Sequence, residues 1–89
     1  MIRVTRAPGV FWDIVDGQTV VCDVSSGELY KLNDVAAFLW DACDDTSVES
    51  LTTRLAAAFP DQDTEQLATD IRRFVGSMRD KGLLITEEE

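Results

Sequence analysis

The chain reads as an α+β domain, a small antiparallel sheet followed by three helices, and three observations carry that reading. Up to residue 32, short runs that alternate apolar and polar residues are separated by Pro8-Gly9, Asp16-Gly17 and Ser25-Ser26-Gly27, dipeptides and clusters that favour turns. From residue 34 onwards the apolar residues recur every three or four positions, the period of an amphipathic helix. The two patterns do not interleave, so the helices should pack together on one side of the sheet.

Residues 1–6 alternate, with Ile2 and Val4 apolar, and suit a short edge strand. Residues 10–15 are rich in β-branched and aromatic side chains (Val10, Phe11, Trp12, Ile14, Val15), which favour strands. Asp16-Gly17 supplies a hairpin turn tolerant of positive φ, and residues 18–24 return with Val20, Cys22 and Val24 on one face. Residues 28–32 form the third strand of this meander, with Tyr30 and Leu32 on one face and Leu29 and Lys31 on the other.

Asn33 is placed to cap the first helix, and Asp34 puts negative charge at the positive end of its dipole. Val35, Phe38, Leu39, Ala42 and Cys43 form its apolar stripe, with Trp40 beside it and Asp44-Asp45 at its end. Thr46-Ser47-Val48-Glu49 has the form of a capping box. The helix it opens carries Val48, Leu51, Leu55, Ala58 and Phe59 on one face and ends before Pro60. Asp63 and Gln66 suggest a similar start for a third helix over 64–81, whose stripe is Leu67, Ile71, Phe74, Val75 and Met78. Gly82 is a natural stop. Residues 83–85 are apolar enough to return to the sheet, and 87–89 are expected to fray, leaving one domain over 1–86.

Eighty-nine residues suffice for one domain, and 45 % hydrophobic residues for one packed core. The net charge of −9 and the pI near 4.2 argue against nucleic acid and against anionic membranes, both of which select Lys and Arg. Like-charge repulsion in the service of solubility is the simplest use of that charge. With no histidine and no C-x-x-C, Cys22 and Cys43 are expected to be small core residues in a reducing cytoplasm, a disulfide being the alternative. No run reads as a signal peptide or a membrane span.

Catalytic chemistry finds no support. Asp44-Asp45, Asp61 and Asp63 lie at helix ends, where aspartate caps. Asp61-Gln62-Asp63 lacks the glycine and the closing glutamate of a calcium loop, and no phosphate-cradling glycine run occurs. A DNA-reading winged helix would need a basic outer face, whereas the first two helices offer Asp34, Asp41 and Glu49 against a single Arg54. No cofactor is expected. Gly76 interrupts the third helix at a cost of roughly 1 kcal/mol relative to alanine, either tolerated or marking close approach of another chain. The remaining mechanism is addition of a peptide strand to an exposed sheet edge. If residues 28–32 are that edge, their backbone does the binding; the sequence leaves open whether the N-terminal strand or the C-terminal tail covers them.

The order Gly27, Tyr30, Leu32, Asn33, then Phe38 and Trp40, then Thr46 before a helix, then a long helix ending Gly82-Leu83-Leu84, resembles the PqqD-like family. These are recognition elements for the precursors of ribosomally synthesised and post-translationally modified peptides (RiPPs). A free-standing chain of this size is similar to the B1 proteins of lasso-peptide biosynthesis. The resemblance implies a winged-helix-like fold and no catalysis. It further implies that the leader segment of a precursor peptide is held as an added strand on the third strand and handed to a separate leader peptidase. A PqqD-type partner of a radical S-adenosylmethionine (SAM) enzyme is the alternative. Carried onto this chain, the binding residues are Glu28, Leu29, Tyr30, Lys31 and Leu32, with Leu67, Asp70, Ile71, Phe74 and Met78 on the third helix divided between groove and core. An aromatic-sized pocket is expected between that strand and that helix. Asp44-Asp45 stands where the family often has a glycine, a departure that bears on one turn and not on the binding surface.

Overall fold

The computed structural model describes residues 2–88; residue 1 of the expected first strand and residue 89 of the expected tail lie outside them. Its elements are β1 (Ile2–Arg6), β2 (Val10–Val15), β3 (Gln18–Asp23), β4 (Glu28–Leu32), α1 (Asp34–Ala42), β5 (Thr46–Ser47), α2 (Val48–Ala58), α3 (Thr64–Asp80) and β6 (Leu84–Glu88). The winged-helix-like plan of a three-stranded meander and three helices is present. The two ends of the chain add a second sheet to it.

The meander is β2-β3-β4, antiparallel throughout, with Phe11 opposite Cys22 and Cys22 opposite Leu29. Asp16 and Gly17 join β2 to β3 with φ of 52° and 78°, the pair of positive values that a two-residue primed turn needs. The expected edge strand at 1–6 is corrected: β1 is the central strand of the order β5-β1-β6. It pairs with β6 from Ile2↔Glu88 to Arg6↔Leu84 and with β5 at Arg3↔Ser47 and Val4↔Thr46. The expected fraying is corrected at Glu87 and Glu88 only. Glu87 and Glu88 pair with Arg3 and Ile2, because a backbone ladder is indifferent to whether its side chains are apolar.

The start of α1 is as expected, Asn33 Oδ1 accepting from Ala36 N at 2.8 Å. Its last turn has no basic residue of its own. Arg6 of β1 supplies the charge instead, donating through Nη1 to the carbonyls of Trp40 (2.8 Å) and Asp41 (3.0 Å), where the helix dipole is negative. The same guanidinium lies 4.7 Å from the Trp12 ring centroid, and Trp12 meets Trp40 edge to face at 5.5 Å. One arginine thus joins both sheets to the first helix. Trp40 is fully buried, and its Nε1 has no hydrogen-bond partner among the described residues.

Two caps differ from expectation. Thr46 is engaged as a strand residue opposite Val4, so the cap of α2 moves to Ser47, whose Oγ accepts from Ser50 N at 3.1 Å. Asp63 caps α3 by accepting from Glu65 N at 3.0 Å, while Gln66 turns away and donates to Asp70 Oδ1 at 2.9 Å. The end of α3 is a Schellman motif: Gly82, at φ 76°, donates to Arg79 O, and Leu83 N donates to Met78 O.

Asp45, of the Asp44-Asp45 pair, has φ 48°, a conformation costly for most L-residues. Arg3 holds it there, donating from Nε and Nη2 to Oδ1 at 3.1 and 3.0 Å and from Nη2 to the Asp45 carbonyl at 2.6 Å. The core gathers Val4, Val21, Leu39, Trp40, Cys43, Leu51, Leu55, Leu67, Ile71, Phe74, Met78 and Leu83. Both cysteines are free; Cys43 is buried, whereas Cys22 is only half-buried, on the sheet's outer face. A Cβ added to Gly76 would meet nothing within 4 Å among the described residues, so no contact among them demands glycine there.

Candidate functional site

The strand order leaves one side of β4 without a neighbour among the described residues, because the two segments able to cover it, β1 and β6, pair with each other. Alternate backbone amides and carbonyls of Glu28–Leu32 therefore lie open along this edge. The strand's two faces differ. Leu32 is buried and Tyr30 half-buried on the helical side, while Leu29 and Lys31 are exposed on the other.

Facing Tyr30 is the end of α3. The Lys81 ammonium lies 5.5 Å from the Tyr30 ring centroid and donates to Ser77 Oγ at 2.8 Å. The Tyr30 phenol donates to Glu28 Oε2. That bond, with burial and the negative charges of Glu28 and Asp23, pushes the Tyr30 pKa up to about 12. At the Leu32 end, a pocket of about 330 Å³ is lined by Asn33, Val35, Ala36, Leu39, Asp70, Arg73 and Phe74. It lies between the N-terminal turns of α1 and the middle of α3, whereas the aromatic-sized pocket was expected between the strand and α3; no residue of β4 lines it.

The helical candidates divide accordingly. Asp70 and Phe74 line the pocket, Phe74 also closing the core at 9 % exposure. Leu67, Ile71 and Met78 belong to the buried core cluster and are absent from the pocket lining; they act on the groove by setting where α3 lies. Sequence reasoning missed Arg73 and Lys81, which follow Asp70 by three and eleven positions and so share its face of the helix. It also gave Asn33 only a capping role, whereas the residue caps α1 and lines the pocket. Among the described residues no group of three or more His, Cys, Asp or Glu is placed to hold a metal ion, and no helix is long and apolar enough to cross a membrane.

Residues 18–84, from the start of β3 to the start of β6, match the family model for coenzyme PQQ synthesis protein D (PqqD). The chain belongs to the PqqD family. Among curated proteins no sequence match is found. Three solved structures are similar to this PqqD-family chain. TbiB1 in complex with the TbiA(beta) leader peptide shares 20 % identity at a TM-score of 0.79, with 90 % of this chain and 93 % of that one covered. A lasso peptide synthetase B1 complexed with the leader peptide shares 24 % at 0.79, covering 92 % and 96 %. The PqqD truncation of Methylobacterium extorquens PqqCD, described as a stand-alone RiPP recognition element, shares 17 % at 0.74, covering 93 % and 88 %. At these identities the likeness is one of fold.

Proposed function

We propose that this chain is a non-catalytic RiPP recognition element. It takes up the leader segment of a lasso precursor peptide as an additional antiparallel strand on β4 and presents it, in the cytoplasm, to a separate leader peptidase. Residues 1–86 act as one peptide-recognition domain, with Glu28, Leu29, Tyr30, Lys31 and Leu32 supplying the pairing edge and Asp70 and Phe74 the neighbouring pocket. The observation that carries this reading is the unpaired edge of β4 beside a pocket. Family membership and the leader-bound state of two similar B1 structures support it. An edge strand offers backbone hydrogen bonds for register, and the pocket offers side-chain selection.

The outer face of the same sheet provides a surface for the processing enzyme. Phe11 and Leu29 are 65 % and 67 % exposed, and with Val15, Val20 and Cys22 they line one shallow apolar recess. Apolar area of this kind on a small domain marks an interaction site, and it continues directly to the β4 edge through Leu29.

Titration of the purified protein with the leader encoded by the neighbouring precursor gene tests the proposal. Saturable binding below tens of micromolar is expected, and its absence would refute the reading. The similarity to the PqqD recognition element favours one second reading, a peptide chaperone for a radical SAM enzyme. A radical-enzyme gene beside this one, with no peptidase gene, selects it.

A further inference from the structure

Eight basic residues stand against seventeen acidic ones in this chain, and most of the eight are engaged. Arg3 is tied to Asp45, Arg6 to the end of α1, Arg72 to Thr69, Arg79 to Asp80, and Lys81 to Ser77 and Tyr30. The side chains of Lys31, Arg54 and Arg73 have neither a hydrogen bond nor an ion pair among the described residues; Arg54 lies on α2, Arg73 lines the pocket beside Asn33, and Lys31 alone stands on β4 itself. Lys31 stands on the outer face, directly opposite Val20 of β3. Its other side is the open edge. Arg73 lies on the rim of the pocket at the Leu32 end.

The alternation of a strand turns these positions into a reading frame. A peptide running antiparallel to β4 meets Leu32 first, then Lys31, Tyr30 and Leu29. Side chains opposite Leu32 and Tyr30 point towards the helices, and those opposite Lys31 and Leu29 point outwards. The first lies next to Asn33, which lines the pocket together with Asp70, Arg73 and Phe74. The second faces a lysine with no partner. The fourth faces Leu29 at the margin of the apolar recess.

We propose that the leader carries, within three consecutive positions, a carboxylate opposite Lys31 and, two residues on, an apolar side chain against Leu29. This rests on the strand-addition reading above and names the peptide class that the edge selects. The selection runs against the protein's overall field. A chain of charge −9 attracts basic peptides non-specifically, yet the position opposite Lys31 takes an acid, because opposite charges across a strand pair stabilise it and like charges do the reverse.

The test is fluorescence anisotropy with the labelled leader from the neighbouring precursor gene, and with a variant in which the acidic residue of this frame is replaced by lysine. The proteins are wild type, Lys31→Glu and, as a control for bulk charge, Arg54→Glu on exposed α2. Lys31→Glu is expected to weaken the native leader about three- to tenfold and to restore affinity for the lysine variant, with Arg54→Glu close to wild type. Equal affinity of wild type and Lys31→Glu, an equal loss in Arg54→Glu, or a bound segment without a carboxylate in this frame each overturns the proposal while leaving strand addition standing. Failure of the wild-type protein to bind the native leader overturns both.

Discussion

Tyr30 is the residue at which the site's electrostatics are easiest to read. Its phenol gives a proton to Glu28 and is held up to about 12, against an ordinary value of 10.0. The folded chain therefore keeps this proton through a range of pH in which the unfolded chain releases it. By linkage the contribution to stability is complete below about pH 10 and disappears as pH rises towards 12. Tyr30 is the only tyrosine, so absorbance at 295 nm should show a single tyrosinate titration near 12 in the native protein. Tyr30→Phe should remove both that titration and the corresponding part of the alkaline loss of stability. A titration near 10 would mean that the Glu28 bond does not persist in solution. Asp45 shows how much of a residue's role is legible without coordinates. That Asp45 stands at the end of the first helix could be read from the sequence. That it adopts a positive φ, clamped by Arg3 forty-two positions away, could not, because nothing local to either residue indicates the pairing.

At the scale of the elements, the legible parts were those specified by neighbours in sequence. The β2–β3 hairpin follows from Asp16-Gly17, the start of α1 from Asn33, and the end of α3 from Gly82. The parts that escaped were specified at a distance. Strand β5 is two residues long, too short for any alternation to register. Strand β6 ends in glutamates and exists because β1 offers it a backbone ladder. Those two distant pairings also decide the open question about β4, since they occupy the strands that would otherwise cover it. In an antiparallel ladder a residue points both its amide and its carbonyl to the same side, and the next residue points both to the other. Proline at Leu29, Tyr30 and Lys31 therefore divides by parity. Leu29→Pro and Lys31→Pro should behave alike and Tyr30→Pro oppositely, because proline removes a single donor. One class should abolish leader binding with the thermal transition largely retained, and the other should disrupt pairing with β3 and lower the melting temperature. Binding measured by anisotropy beside melting by circular dichroism separates them, and three variants that all bind normally would rule out edge pairing.

On the proposed reading the whole molecule is a platform with two surfaces, the β4 edge and the outer face of the meander, that meet at one strand. Its helices cover part of the inner face of the meander, where Ile14 stays exposed, and leave the outer face bare, so that Phe11, Val15, Val20, Cys22 and Leu29 form an apolar recess ending at the β4 edge. A strand added to that edge extends the recess by its own outward side chains, and the surface is complete only when the peptide is bound. Under the proposed function, an enzyme docking on this face would distinguish the loaded chain from the empty one with no conformational change required in the fold. Neither Phe11 nor Val15 borders the β4 edge, since β3 lies between, and both are largely exposed. Phe11→Ser and Val15→Ser should therefore change stability by no more than about 0.5 kcal/mol. They should leave leader affinity within twofold of wild type and slow leader cleavage by the cognate peptidase at least tenfold, a loss of about 1.4 kcal/mol in the docking step. Cleavage assayed with the chain saturated by leader, and with that complex well below the concentration that saturates the peptidase, isolates that step. Unchanged cleavage by both variants would place the enzyme's contact elsewhere and reduce the exposed face to surface without a partner.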